Sequence, residues 1–391
     1  MVILIFNPGL GTKSFFPVAN NSGPGGEKND PPGDKDRARE EKTFPHFSQG
    51  GRGGVEMKMR KIVAVGIAVG FIVSLLWVLP EPAGAQQPQF KFRFGGSDPG
   101  RQLLDKTTSM FVELSEKKSN GRLKWDYFCC DQLGGDIAQI EQMMANSIQG
   151  YGDVMDWWAN WVKDFSIFGW GFTFRDNDHF AKFIESPMFK SMADKLRTQN
   201  GLRILAAGPT EPRMLFVKKP VAKLEDLKGL KMRVPEIKAY LMVWEALGTK
   251  PSRVTWGEIF LALKTGVVEG CEGPITSAYG AKFHEAAQYG YLTNHIISSA
   301  HITMNEKAYQ SLPPDLQKAV EEAARESVAF ARGEAQKAYQ EAINKMKAEG
   351  GNISSLDTAA FKAVLAAAVG TAEAEGLWTT KGLWQKVQDI K

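Results

Sequence analysis

Beginning at Phe90, short strand-like runs alternate with stretches of helical periodicity, and the alternation restarts once further along the chain. Strand, amphipathic helix and strand in succession build a mostly parallel sheet covered by helices, so two α/β units are expected. Residues 90–95 (FKFRFG) alternate apolar and charged side chains, the pattern of a half-buried strand. Residues 101–118 carry Leu103, Leu104, Met110, Phe111 and Leu114 at helical spacing, and residues 123–128 begin a second strand. A second helix is predicted over 136–148, with Ile137, Ile140, Met143, Met144 and Ile148 on one face, followed by a short apolar strand at 153–158. The pattern then restarts, with strands predicted at 203–207, 214–218, 230–234 and 267–272 and helices at 224–229, 237–247 and 259–265.

After Ser311, the Pro313-Pro314 pair opens a stretch to Glu349 that is rich in Ala, Glu, Lys and Gln and holds a single glycine, Gly333. Proline suits the first helical turn and the rest has high helix propensity. A helix of that length can run past two domains, and the absence of a strict heptad argues against a coiled-coil arm. The total of 391 residues is comfortable for two domains. With 43% hydrophobic and 24% charged residues the chain falls in the globular class. The net charge is only +4 and no basic stripe is interleaved with aromatics, so nucleic acid is not expected as a partner.

The front of the chain is different. Residues 1–56 read as a disordered or untranslated extension, because 21–41 are rich in Gly, Pro, Asp, Lys and Glu and cannot bury enough apolar surface to offset the entropy of ordering. Residues 57–85 have the layout of a secretory signal: Lys58, Arg60 and Lys61, an apolar run over 62–79, and Ala83-Gly84-Ala85 as a cleavage site. The run is 18 residues, long enough to span a bilayer, so an uncleaved anchor is the alternative. Pro80, Pro82 and the small-residue site favour cleavage. No Cys stands at that site, so no lipid anchor is indicated.

Catalytic patterns are lacking. No His-Glu-x-x-His, Cys-x-x-Cys, Gly-x-Ser-x-Gly, Walker loop or dinucleotide fingerprint occurs, and no metal or cofactor is expected. Gly95-Gly96-Ser97 after a strand is a weak anion-binding signal. Cys129, Cys130 and Cys271 make no disulfide framework, though a bond from Cys271 to one of the other two stays open. A binding site is better marked. In Lys231-Met232-Arg233-Val234-Pro235, the proline ends a strand just after Arg233. Ligands of α/β sheets lie at that end of the strands, and a guanidinium there can grip a carboxylate with two parallel hydrogen bonds. A surface salt bridge is the bland alternative.

The run LEDLKGLKMRVP (224–235) and the run EALGTKPSRVTWGEIFLALKTGVVEGCEGP (245–274) resemble the signature region of the solute-binding proteins of TRAP (tripartite ATP-independent periplasmic) transporters. Ser119-Asn120-Gly121-Arg122, Gln132-Leu133-Gly134-Gly135, Tyr291-Leu292-Thr293-Asn294-His295 and Leu312-Pro313-Pro314-Asp315 extend the likeness over nearly all of 88–380. The resemblance implies a two-domain α/β periplasmic binding protein fold with a cleft between the domains and a long hinge-spanning helix. Domain I would comprise 86–210 plus about 299–338, and domain II 211–298 plus about 339–391. It implies a periplasmic receptor, monomeric and not an enzyme, that captures a small organic acid and hands it to a TRAP membrane permease. A sensor subunit for a signalling partner is the alternative, and an enzyme using Cys or His is a third.

By the same resemblance Arg233 binds the ligand carboxylate, Arg213 backs it up, Trp256 stacks on the ligand, and Glu236, Trp157 and Trp158 line the pocket. The family's Gln-Glu-Asn-Pro is here Cys271-Glu272-Gly273-Pro274, so Gly273 lacks a ligand-contacting amide. Without that Asn, and with three tryptophans, the site leans toward an acid with an apolar or aromatic body, although ordinary core packing accounts for the tryptophans equally well. Glu236 and Glu272 could also hold a cation beside the carboxylate. Mass spectrometry of the exported protein is expected to find Gln86 at the N-terminus; a chain that keeps 57–85 and fractionates with membranes would establish the anchor instead.

Overall fold

One strand carries the architecture. The computed structural model describes residues 87–98 and 102–391. The extension expected at 1–56 and the signal peptide expected at 57–85 lie outside the described residues. Those residues form strands β1 (Phe90–Gly95), β2 (Leu123–Phe128), β3 (Gly150–Asp153), β4 (Leu202–Val217), β5 (Lys231–Val234), β6 (Lys250–Arg253), β7 (Gly270–Pro274), β8 (Tyr289–Leu292), β9 (Ile297–Asn305) and β10 (Asn352–Ser355). β4 belongs to two lobes at once. Its first half pairs with β9 in the order β2-β1-β3-β9-β4, and its second half lies between β7 and β8 in the order β6-β5-β7-β4-β8-β10. In each lobe the parallel strands (β2, β1, β3 and β6, β5, β7) meet the rest of the sheet through an antiparallel neighbour.

The expected strands at 203–207 and 214–218 are therefore one. Pro209 and Pro212 cannot donate to a ladder, and the register with β9 slips between them. The slip lets the strand leave one sheet and enter the other without ending. The predicted helix 136–148 stops at Met144. Asn146 takes a positive φ of 59°, and the turn sends Ile148 into the core. The strand expected at 153–158 is displaced to β3, with a 3-10 helix over Met155–Asn160. Asp153 Oδ1 accepts the Val154 N–H at 2.7 Å and ends the strand there. β6, β8, β9 and β10 have no counterpart in the sequence reading.

The helix Pro314–Ala348 joins both lobes. Its first half places Leu316, Val320, Ala323, Ala324 and Val328 in the core of the first lobe, beside Phe94, Phe111 and Trp125. Its last turns place Ala342, Ile343 and Met346 among Met214, Phe216, Ile259 and Phe283 of the second. Helix Ala359–Ala374 follows, with Phe361 and Leu365 in the largest core cluster. The C-terminal stretch, expected with the second domain, also bonds to the 164–179 segment. The Asp164 carboxylate accepts from the backbone and hydroxyl groups of Thr379 and Thr380, and His179 Nε2 lies 2.9 Å from the Val387 carbonyl. No helix among the described residues is long and apolar enough to cross a membrane.

Phe94 is fully buried, 5.3 Å from the Phe111 ring and 5.4 Å from Trp125. A Cβ on Gly150 would stand 2.3 Å from its ring. Phe94→Ala is expected to cost about 3–5 kcal/mol in urea unfolding; a loss below about 1 kcal/mol would show that this cluster does not hold the first lobe.

Candidate cleft for a carboxylate

The C-terminal ends of the parallel strands of both lobes face one cleft, whose empty space is about 450 Å³ with its solvent-open mouth included. Arg233, on β5 one residue before its end, reaches this cleft because Pro235 stops the strand. It is 1% exposed. Its Nε donates to the Val254 carbonyl at 2.8 Å, while Nη1 is buried with no partner. Burial lowers its pKa to about 10, which still leaves it charged at neutral pH. The guanidinium carbon lies 5.7 Å from the Trp256 ring centroid. A buried cation with a free N–H costs stability unless an anion completes it.

Arg213 is different. It sits on β4 opposite Pro274 of β7. Glu272, fully buried on β7, accepts from its Nε at 2.5 Å and from its Nη2 at 2.8 Å. Burial works against both charges. The pair outweighs it, holding the Glu272 carboxyl at about 2 and raising the arginine above its ordinary value. The ring of Tyr240 lies under Arg213 at 5.1 Å. The hydroxyl of Tyr240 donates to Asp156, so a side chain following β3 in the first lobe touches the second lobe across the cleft.

Trp157 lines the cleft. Trp158, next in sequence, is fully buried and turned inward, its ring 4.8 Å from that of His301 and 6.3 Å from Tyr151. Glu236 is exposed and does not line the cleft. It therefore shares no cation site with Glu272, which is committed to Arg213. Gly273 lies beneath Trp256: a Cβ there would stand 2.9 Å from Cη2 of the indole. The volume that an Asn would occupy is thus filled by the tryptophan. Among the described residues, His284, Glu285 and Glu349 could hold a metal ion by their spacing, and none of them lines the cleft.

Four carboxyl groups along the cleft escaped the sequence reading: Asp98, Asp136, Asp153 and Asp156. Burial pushes Asp98 up to about 8 and Asp156 to about 6. Asp153 is raised well above the carboxylate range by burial and by Asp136. Tyr151 donates to Asp136 at 2.6 Å. The signal was present, since Asp153 and Asp156 interrupt an otherwise apolar run and Asp98 follows the Gly95-Gly96-Ser97 turn. Other reactive groups are quiet. Cys129, Cys130 and Cys271 are all free, burial pushes the Cys271 thiol up, and burial lowers His301 to about 3.

Residues 94–375 match the family model described as bacterial extracellular solute-binding protein, family 7. The C4-dicarboxylate-binding periplasmic protein DctP of Rhodobacter capsulatus is 28% identical over 252 residues, 63% of this chain and 74% of the relative. The sialic acid-binding periplasmic protein SiaP of Vibrio cholerae is 26% identical over 257 residues, 66% of this chain and 80% of the relative. Among solved structures, a TRAP periplasmic solute-binding protein from Pseudomonas putida with bound D-glucuronate superposes with a TM-score of 0.71 at 26% identity, covering 77% of this chain and 97% of the other. A second, from Actinobacillus succinogenes with bound L-galactonate, gives 0.72 at 26% identity, over 77% and 98%.

The Asp98 pKa is higher folded than unfolded, so its contribution to stability is full below about pH 4 and is lost as pH rises through about 8. The ligand-free protein is therefore expected to weaken between pH 4 and 8 in urea unfolding. Asp98→Asn, which keeps the shape of the protonated acid, should flatten that slope in part, leaving the share of Asp153, Asp156 and the other raised carboxyls. Equal slopes would show that Asp98 ionises freely in the folded protein.

Proposed function

The chain belongs to the bacterial extracellular solute-binding proteins of family 7, and from that premise we propose that Arg233 is the group by which it captures the carboxylate of a small organic acid. The unpartnered, buried Nη1 of Arg233 carries this reading. An incoming carboxylate supplies the acceptor that the fold withholds, as a charge-assisted bond in a place shielded from water. Arg213, already held by Glu272, adds field rather than a second grip. Trp157 and Trp256 supply apolar faces for the ligand body, and the relatives bound to glucuronate and galactonate are themselves carboxylate receptors.

Capture is coupled to closure. Ligand contacts from both walls favour the closed arrangement over the open one, and that difference drives the hinge. The moving bodies are 86–210 with about 299–338 and 211–298 with about 339–391. β4, the link from β8 to β9 and the helix Pro314–Ala348 form the crossings. The closed protein delivers its ligand to a TRAP membrane permease, working as a monomer in the periplasm after export. No covalent step is assigned, because the buried thiol of Cys271 and the neutral ring of His301 are poor catalysts.

The test is a thermal-shift screen against carboxylic acids, on protein unfolded and refolded to remove carried ligand. One acid class is expected to raise the melting temperature in a saturable way. Arg233→Ala should weaken that binding by about 2–5 kcal/mol while leaving the far-UV spectrum unchanged. A rise that survives the substitution would place the carboxylate elsewhere.

A further inference from the structure

The cleft holds more carboxyl groups than guanidinium groups. Asp98, Asp136, Asp153 and Asp156 line it, with Arg213 and Arg233 as its cations. Glu211 and Glu272 are buried behind them. Glu272 takes two donors of Arg213, Nε and Nη2, and Asp136 is the lining carboxyl on which the Arg233 charge bears. Tyr240 donates to Asp156. Asp98 and Asp153 take neutral donors, Ser277 and the Asp105 N–H on Asp98 and the Val154 N–H on Asp153, and the charges that bear on them are acids: Asp98 feels Glu211 and Asp105, and Asp153 feels Asp136, Asp98 and Asp131.

These groups are also sorted in space by topology. Arg233 stands at the end of β5 in the second lobe, whereas Asp98 follows β1 and Asp153 ends β3 in the first. The cleft therefore has a cationic wall and a wall of carboxyl groups, which burial holds largely protonated in the ligand-free protein. A plain monocarboxylate would satisfy the open donor of Arg233 and set its apolar body against two buried acids. A ligand with a protonated nitrogen at its other end satisfies both walls, because a cation beside buried acids favours their ionised form and then donates to them with charge on both sides of the bond.

We propose that the ligand of this cleft is a zwitterion, an acid that also bears a cationic nitrogen, with its carboxylate on Arg233 and its nitrogen between Asp98 and Asp153. The proposal rests on the carboxylate reading above and narrows it. Hydroxyl-bearing acids are the competing class, since a hydroxyl also donates to a carboxylate; the difference is charge. Exchange of the amine for a hydroxyl of the same size is expected to weaken binding at least about tenfold, because the charged donor is the stronger one.

The experiment uses matched probes on the refolded wild-type protein, read by calorimetry and thermal shift. One set is butanoate with its 2-, 3- and 4-amino and 2-, 3- and 4-hydroxy derivatives; another pairs phenylalanine with 3-phenyllactate. Binding by an amino acid of either set, at least about tenfold tighter than its hydroxy partner, supports the proposal. Asp98→Asn and Asp153→Asn should then bring the two partners close to equal affinity. Hydroxy or unsubstituted acids that bind as well as their amino partners would overturn the zwitterion and leave the carboxylate receptor standing. Binding by amines that lack a carboxylate, such as butylamine, together with none by any acid, would overturn both readings.

Discussion

Two guanidinium groups buried in one cleft cannot both stay charged and both stay empty. Glu272 resolves this by taking Arg213 with two hydrogen bonds from a neighbouring strand. A fully buried pair of this kind is costly to desolvate and costly to break, so it is better evidence of a positioned charge than of added stability. Once Arg213 is neutralised, the remaining unbalanced cation is Arg233, and the site has a direction. Arg213 lies opposite Pro274 in the ladder between β4 and β7. The same pairing that builds the second sheet therefore sets the charge of the cleft.

That ladder depends on β4 changing sheets. The bend at Pro209 and Pro212 places Arg213 just beyond the crossing, at the root of the second lobe. The long helix fastens each lobe with a different half of its length. The contact between Asp156 and Tyr240 spans the cleft, beside a hydrophobic cluster in which Phe165, Phe168 and Trp170 join Tyr240, Val243 and Trp244.

Much of this was legible in the residues. Strands β1 and β2 and the helix Ile259–Thr265 were bounded as read, and the Pro314 helix nearly so, because period and punctuation agreed there. Arg233 was placed at the cleft by the proline that ends its strand and by the family resemblance. The misses share a cause. β9 (ISSAHITMN) is buried along almost its whole length and so lacks the alternation that marks a half-buried strand. β6 (KPSR) is a short polar edge that resembles a loop. Trp157 and Trp158 are adjacent, yet one lines the cleft and the other is core, and composition cannot separate them.

The sequence by itself determined the class of fold, the long connecting helix, and a guanidinium at the end of a strand, because those follow from periodicity and from what proline forbids. The tertiary structure decided which arginine is free, since Glu272 is 59 residues from Arg213 along the chain and meets it only through strand pairing. It also gathered Asp98, Asp136, Asp153 and Asp156 along one cleft. Each looks ordinary in its own segment, at a turn, a helix start, a strand end and a 3-10 turn. Charge is summed over space rather than over sequence, so the sign of a cleft is a property of the folded chain alone.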